Sequence, residues 1–308
     1  MDERITSKLN FNALYFLAVF CFINTSFHAA KINKTEPIDS TFNKKIFING
    51  SLIGSAAISY AGFYHLWYKG YDQTSFHSFN DLEEWQYMDK VGHLCTSYHL
   101  NKFSYNLLKN NGIEKPLLKS SIYSFTYMAG IEILDGFSEE WGFSWYDIMA
   151  NGLGNVLFTW QEHKFKDQLV SVKFSSHMTD IANCRPSLLG SSRAQRIFKD
   201  YNGQTYWLTL DVNKTLKSNI KVFQYLDLAV GYTINGFTGA RENPFLNCTT
   251  CNNLERKSSI LLSLDLNLKK WEGKSRFTDA IIHTFNVIKF PMPTIIIDNK
   301  IQYKWLYF

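Results

Sequence analysis

Three pairs of polar residues are spaced to share helix faces within apolar sequence. Asp89 and His93 stand four apart in Met88-Asp89-Lys90-Val91-Gly92-His93, Glu132 and Asp135 three apart in Ile131-Glu132-Ile133-Leu134-Asp135, and Asp147 and Asn151 four apart, with Gly154 just beyond. A buried acid or imidazole is costly unless it pairs, binds an ion or takes part in chemistry. If the three helices pack together, the six residues converge, with Lys90 at the edge. Such a set is mainly hard oxygen with one nitrogen, which makes a divalent metal (Mg²⁺, Mn²⁺, Ca²⁺ or Zn²⁺) a possible cofactor without selecting one. Alternatively, His93 is a general acid or base oriented by Asp135 or Asp147, with Glu132 a further catalytic candidate. Asp89, Lys90, Asp147 and Asn151 are then the binding candidates.

A structural account competes with both. Asp147 can cap its helix through Ser144, and Asp89 suits a helix start, where the dipole favours an acid. Asn151 with Gly152, Gly154 and Asn155 can serve close packing. Glu132, between Ile131 and Ile133, is the hardest to dismiss in this way. No nucleophile elbow, phosphate loop or zinc-protease motif occurs in the chain.

The elements that must position these residues read as helices near 84–109, 117–135 and 144–161, the last opened by Ser144-Trp145-Tyr146-Asp147. Before them, Ile46–Tyr64 runs nineteen residues without charge, with Gly50 and Gly54 at a spacing that allows close helix approach. Ser120–Ile131 is uncharged for only twelve residues, short of a membrane span. An all-α module over 46–165 is expected, preceded by a polar linker over 31–45.

Beyond residue 165 the period changes to two. Strands are expected at 168–174, 204–212, 226–234, 260–268, 281–289, 294–298 and 301–308, making 166–308 an antiparallel β region and the whole an α+β chain. Apolar residues alternating with small polar ones, and a terminal Phe308, also describe strands facing lipid; a sheet packed on helices is the other account.

Aromatics make up 16% of the chain, a level that suits membrane interfaces as well as a Phe-rich core. The net charge of +5 is dispersed, which argues against a nucleic-acid partner and fits an anionic membrane surface. Arg4 and Lys8 precede an uncharged stretch from Leu9 to Phe27, then Ala29 and Ala30, so residues 1–30 read as a signal peptide or an N-terminal anchor. Cys21 lies inside that apolar stretch behind Phe20, a poor setting for lipid attachment. An exported protein of the bacterial envelope is expected, in the periplasm or outer membrane, with membrane lipid or an envelope component as its partner. In that setting Cys248-Thr249-Thr250-Cys251 suggests a local disulfide.

Met88–His93, Ile131–Phe137, Trp141–Ser144 and Asp147 through Asn151 to Gly154 resemble the YfiM-like family of bacterial envelope proteins. The segments Lys199–Trp207 and Gly231–Pro244 resemble its longer members, so the likeness covers roughly residues 45–308. The ordered Asp-Lys-x-x-His, Glu and Asp-x-x-x-Asn series is also similar, more distantly, to VanZ-like membrane proteins, which usually carry Gln where this chain has Asp135. Neither family implies a particular reaction. The resemblance implies an envelope protein with a polar helix site.

Overall fold

The computed structural model describes residues 38–69, 71–217, 220–271, 273 and 275–308. The expected signal or anchor segment over 1–30, with Cys21, lies outside them. The fold is α+β, with the long helices preceding a six-stranded antiparallel sheet. The chain divides into two compact units. The first holds the described residues up to Asp81 together with Thr96–Lys166, and the second holds Leu82–Cys95 and Asp167–Phe308.

The first unit contains α1 (Ile38–Phe63), most of α2 (Met88–Asn110), α3 (Pro116–Asp135) and α4 (Trp145–Phe165). Helix α1 starts within the stretch expected as linker and continues into a π-helical turn, Tyr64–Tyr68. Its Ile48 and Leu52 pack with Leu107, Leu108 and Ile113. Pro116 opens α3, where the missing N–H costs nothing. Ser144 caps α4 by accepting from the Asp147 N–H at 3.1 Å. The segment after the π-helical turn is tied to the loop between α3 and α4 by Thr74 N–H to Phe137 O, His77 N–H to Gly136 O and Phe143 N–H to His77 O.

The helices present their faces in an unusual sense. On α4, Trp145, Met149, Leu153, Val156 and Trp160 recur at helix spacing and are exposed, while Asp147, Asn151, Asn155, Gln161 and Glu162 are buried. On α3, Leu118, Ile122, Phe125 and Ile133 are exposed, while Ser120, Ser124 and Glu132 are buried. A water-soluble helix shows the opposite polarity. Among the described residues, no helix is long and apolar enough to cross a membrane.

The second unit is built on β1 (Val170–Ser176), β2 (Gln204–Leu210), β3 (Leu226–Asn235), β4 (Lys257–Leu266), β5 (Met292–Ile297) and β6 (Ile301–Tyr307), paired in chain order. Register places Val172, Leu208, Val230, Leu262, Ile295 and Tyr303 in one row across the sheet. The next row on the opposite face is Lys173, Trp207, Gly231, Leu261, Ile296 and Gln302.

The sheet is strongly curled. Four strand steps separate β2 from β6, about 19 Å in a flat sheet. Yet the Trp207 and Tyr307 rings lie 6.1 Å apart, and the Thr205 and Tyr307 hydroxyls 3.2 Å apart. The concave face is the polar one. Ser171, Lys173, Ser175, Thr205, Thr209, Asp227, Thr233, Ser263, Asp265 and Thr294 are buried. Leu208 and Val230 on the convex face are each 48% exposed, and Leu228, Ile260, Leu262, Ile295 and Tyr303 are exposed as well.

The expected strand over 281–289 is corrected. Arg276–Phe285 forms a helix, α5, because Ser275 accepts from the Thr278 N–H at 3.1 Å and starts it. The residues after α5 then pair in parallel with β1: the Phe174 N–H bonds Val287 O and the Lys289 N–H bonds Phe174 O, both at 2.9 Å. This covers an edge strand that would otherwise be open.

Gly231 is required by the curl. A Cβ there would stand 2.6 Å from the Trp207 ring, which is fixed in the buried face. Gly231→Ala is expected to destabilise the fold by about 1–3 kcal/mol, read as a lower midpoint in urea unfolding.

Candidate functional site

The residues singled out in the sequence are divided between the units. Asp89, Lys90 and His93 belong to the second; Glu132, Asp135, Asp147 and Asn151 belong to the first.

In the second unit, the start of α2 is set by a backbone turn that no glycine relieves. Trp85, Gln86 and Tyr87 have φ of 50°, 46° and 66°, all left-handed. The turn is held by the Trp85 N–H to Ala240 O at 2.9 Å and by the Tyr232 hydroxyl donating to Gln86 O at 2.6 Å. Trp85 also packs with Met88, Ala182, Leu189, Ile234 and Phe237. Just after this turn, Asp89 Oδ1 accepts from the Tyr201 hydroxyl at 2.7 Å and Asp89 Oδ2 pairs with Lys90 Nζ at 2.9 Å. His93 Nε2 lies 3.9 Å from Asp89 Oδ1. Burial works to raise the Asp89 carboxyl, but His93, Lys90 and Tyr201 outweigh it and hold it below the usual carboxylate range. Tyr206 stands 3.0 Å from where a Cβ on Gly92 would lie, and burial pushes its phenol well above normal.

In the first unit, Asp135 accepts from the Tyr68 hydroxyl at 2.5 Å, and Glu132 is buried on the same helix face. Burial, then Asp135, then Glu132 raise the Tyr68 phenol, which therefore stays a neutral donor. Ser144, having capped Asp147, donates to Asp81 at 2.6 Å. The Asn151 carbonyl accepts from Ser97 at 2.7 Å.

Next to these lies a network centred on Asn155, which the sequence offered only as a packing residue beside Asn151. Asn155 donates to Ser121 O at 2.9 Å and Ser124 Oγ at 2.6 Å, and its Oδ1 accepts from Asn101 at 3.0 Å and Ser121 at 2.5 Å. Asn101 in turn donates to Thr159 at 2.9 Å and accepts from Ser120 at 2.7 Å. These bonds tie α2, α3 and α4 together. The available signal was spacing: Ser97 and Asn101, Ser120 and Ser124, and Asn151 and Asn155 each stand four apart.

The curled sheet encloses a second unforeseen group. Lys173 on β1 forms a buried ion pair with Asp265 on β4. Asn267 donates to Asp227 at 2.8 Å and to Asp211 at 3.2 Å. Lys289 Nζ lies 4.5 Å from the Trp207 ring centroid and donates to Phe290 O at 2.9 Å. Burial brings the Lys289 ammonium down to about 8, and burial with Asp211 raises the Asp227 carboxyl to about 6.

The disulfide also differs from expectation. Cys251 is bonded to Cys184, 67 residues away, and Cys248 is free. The fold brings the Cys184 and Cys251 Cα atoms to 5.7 Å, so a distant partner displaces the local one.

A family model described as "Predicted periplasmic lipoprotein (DUF2279)" matches residues 79–161. Comparison with curated proteins and with solved structures gives no match. The matched segment holds the whole set from Asp89 to Asn151. The chain is a bacterial cell-envelope protein, of the periplasm or the outer membrane.

Three outcomes are expected from this geometry. Asn155→Leu removes the hub of the α2–α3–α4 network and leaves Asn101 and Ser124 short of a partner, lowering unfolding free energy by about 2–4 kcal/mol. Asp227 has a native pKa above its unfolded one, so its contribution to stability is present below pH ~4 and lost as pH rises through about 6. Asp227→Asn should therefore stabilise by about 2 kcal/mol at pH 7 and by nothing measurable at pH 4, in matched denaturant titrations. Gln86→Gly relieves a left-handed residue and should raise the melting temperature, corresponding to about 1 kcal/mol, whereas Gln86→Val should lower it.

Proposed function

We propose that this is a membrane-associated envelope protein whose outward apolar faces lie against lipid acyl chains. Its buried polar side chains then act mainly as the scaffold that fixes helix and strand register. The YfiM-like resemblance read over roughly residues 45–308 accords with this reading. The observation that carries it is the row Leu208, Val230, Leu262, Ile295 and Tyr303, exposed on five adjacent strands while the opposite face buries Lys173, Thr209, Ser263 and Asp265. Strands facing lipid show this polarity, apolar outward and polar inward. A sheet facing water on its convex side would carry polar residues there.

A second reading is favoured by the Asp89–His93 contact. An envelope enzyme, a hydrolase or transferase acting on lipid or cell-wall intermediates, would use His93 as acid or base with Asp89 orienting it. A stoichiometric divalent ion in the purified protein, lost in a folded His93→Ala variant, would favour that reading.

The lipid reading is tested with Val230→Cys and Leu262→Cys, each made with Cys248→Ser and labelled with an environment-sensitive dye. In vesicles of phosphatidylethanolamine and phosphatidylglycerol, both dyes should shift to the blue and be quenched by doxyl-labelled acyl chains. A dye at Lys300→Cys, in the exposed β5–β6 turn, should remain in water. Arg at residue 230 should weaken vesicle association by about 2–4 kcal/mol. Water-like emission at both 230 and 262 in vesicle-bound protein would overturn the reading.

A further inference from the structure

Cys248 immediately precedes one helical turn, Thr249–Asn252, which contains Cys251, and that turn places the Cys248 sulfur 2.8 Å from the Cys251 sulfur. Cys251 is at the same time bonded to Cys184. A free thiol therefore stands against one sulfur of an existing disulfide, with no room for another atom between them. Accessibility is divided in a useful way. Cys251 is only 4% exposed, whereas Cys248 is exposed; among the described residues the other free cysteine, Cys95, is buried. Reagents in solution thus meet Cys248 first.

We propose that Cys184, Cys248 and Cys251 form a thiol–disulfide exchange centre, with Cys248 as the attacking and solvent-facing sulfur. The Cys248 thiolate attacks Cys251 Sγ, and a Cys248–Cys251 bond forms as the Cys184–Cys251 bond breaks. Cys184 leaves as a thiolate and takes a proton from water. The reverse step restores the first bridge, so the exchange needs no external oxidant or reductant. The same exposed sulfur can form a mixed disulfide with a small-molecule or protein disulfide, releasing that molecule's second sulfur as a thiol.

The local chemistry favours the thiolate. The Thr250 hydroxyl, 3.1 Å from Cys248 Sγ, and the Cys251 backbone N–H hold the Cys248 thiol below its ordinary range. A larger thiolate fraction near neutral pH speeds attack. By contrast, burial raises the Cys95 thiol to about 12, which leaves it inert. This inference does not depend on lipid contact, only on an oxidising envelope that keeps a disulfide formed.

The test is a disulfide map of the full chain. Protein is held at pH 8, quenched in acid, alkylated and digested, and the bridged peptides are identified by mass spectrometry. Both Cys184–Cys251 and Cys248–Cys251 peptides are expected, with the second growing from zero to a constant fraction over time. Alkylating Cys248 beforehand should abolish the second bridge, and Cys248 should react about tenfold or more faster than Cys95 in the native protein. In Cys184→Ser, which has lost the original bridge, added glutathione disulfide should oxidise Cys248 and Cys251 to their own bridge quantitatively, releasing two glutathione thiols. Cys248→Ser, altered only at an exposed position, should keep the fold and hold Cys184–Cys251 alone. A single Cys184–Cys251 bridge in the wild type at every time and pH, with Cys248 alkylated in full, would overturn the proposal; this time course does not require any variant to fold.

Discussion

A polar group removed from water must find its hydrogen bonds inside the protein, and this chain has placed polar groups inside both of its units. In the helical unit the demand falls on Asn155, whose amide is fully used by Asn101, Ser121 and Ser124. An amide needs small partners close by, so Ser and Asn occupy positions where a soluble bundle would place Leu. The apolar residues displaced from those positions must then lie on the outside. Trp145, Met149, Leu153 and Val156 on α4 are the consequence. Interior polarity and exterior apolarity are thus one decision, made by the need to satisfy buried groups.

In the sheet unit the same demand has a geometric result. An ion pair taken out of water costs more than its attraction returns unless other bonds support it. Asp265 also accepts from the Phe290 N–H at 3.0 Å, and Lys173 donates to Leu266 O at 3.4 Å. Phe290 lies just past the segment that covers the edge of β1, so the charge and the edge are secured by the same stretch of chain. Lys173 and Asp265 sit three strands apart, and pairing them requires the sheet to bend. Bending brings Tyr307 to Trp207, and Gly231 supplies the space in which the indole lies. The convex side of a sheet curled this tightly faces outward at Leu208, Val230, Leu262 and Ile295, while Val172 and Ile234 on the same side are covered.

Much of this could be read from the chain. Period-two alternation located β1 to β6, and polar spacing located α2, α3 and α4, because each signal is local. Residues 281–289 misled: with Ile281, Ile282, Phe285, Val287 and Ile288 close together, a short apolar run fits either period, and the capping Ser275 decides for helix. Alternation also shows that a strand has two faces without saying which one turns inward. That choice was set by Lys173 meeting Asp265 across 92 residues of sequence. Asn101 with Asn155, and Cys184 with Cys251, are likewise pairings between distant segments that no local pattern encodes.

The left-handed turn before α2 was illegible for another reason. Left-handed backbone is expected at Gly or Asn, and here it falls on Trp85, Gln86 and Tyr87. Each such residue costs about 1–2 kcal/mol. The turn persists because its surroundings over-determine it, through the Ala240 carbonyl, the Tyr232 hydroxyl and the packing of Trp85 with Tyr201 and Phe237. Tyr201 is also the residue that donates to Asp89. The packing that fixes the strained turn therefore aims Asp89 as well, and through it the contact with His93. Backbone strain at this point and a carboxylate held ionised beside an imidazole share one support, which is how a structure keeps a charged pair in a fixed geometry rather than leaving it to side-chain rotamers.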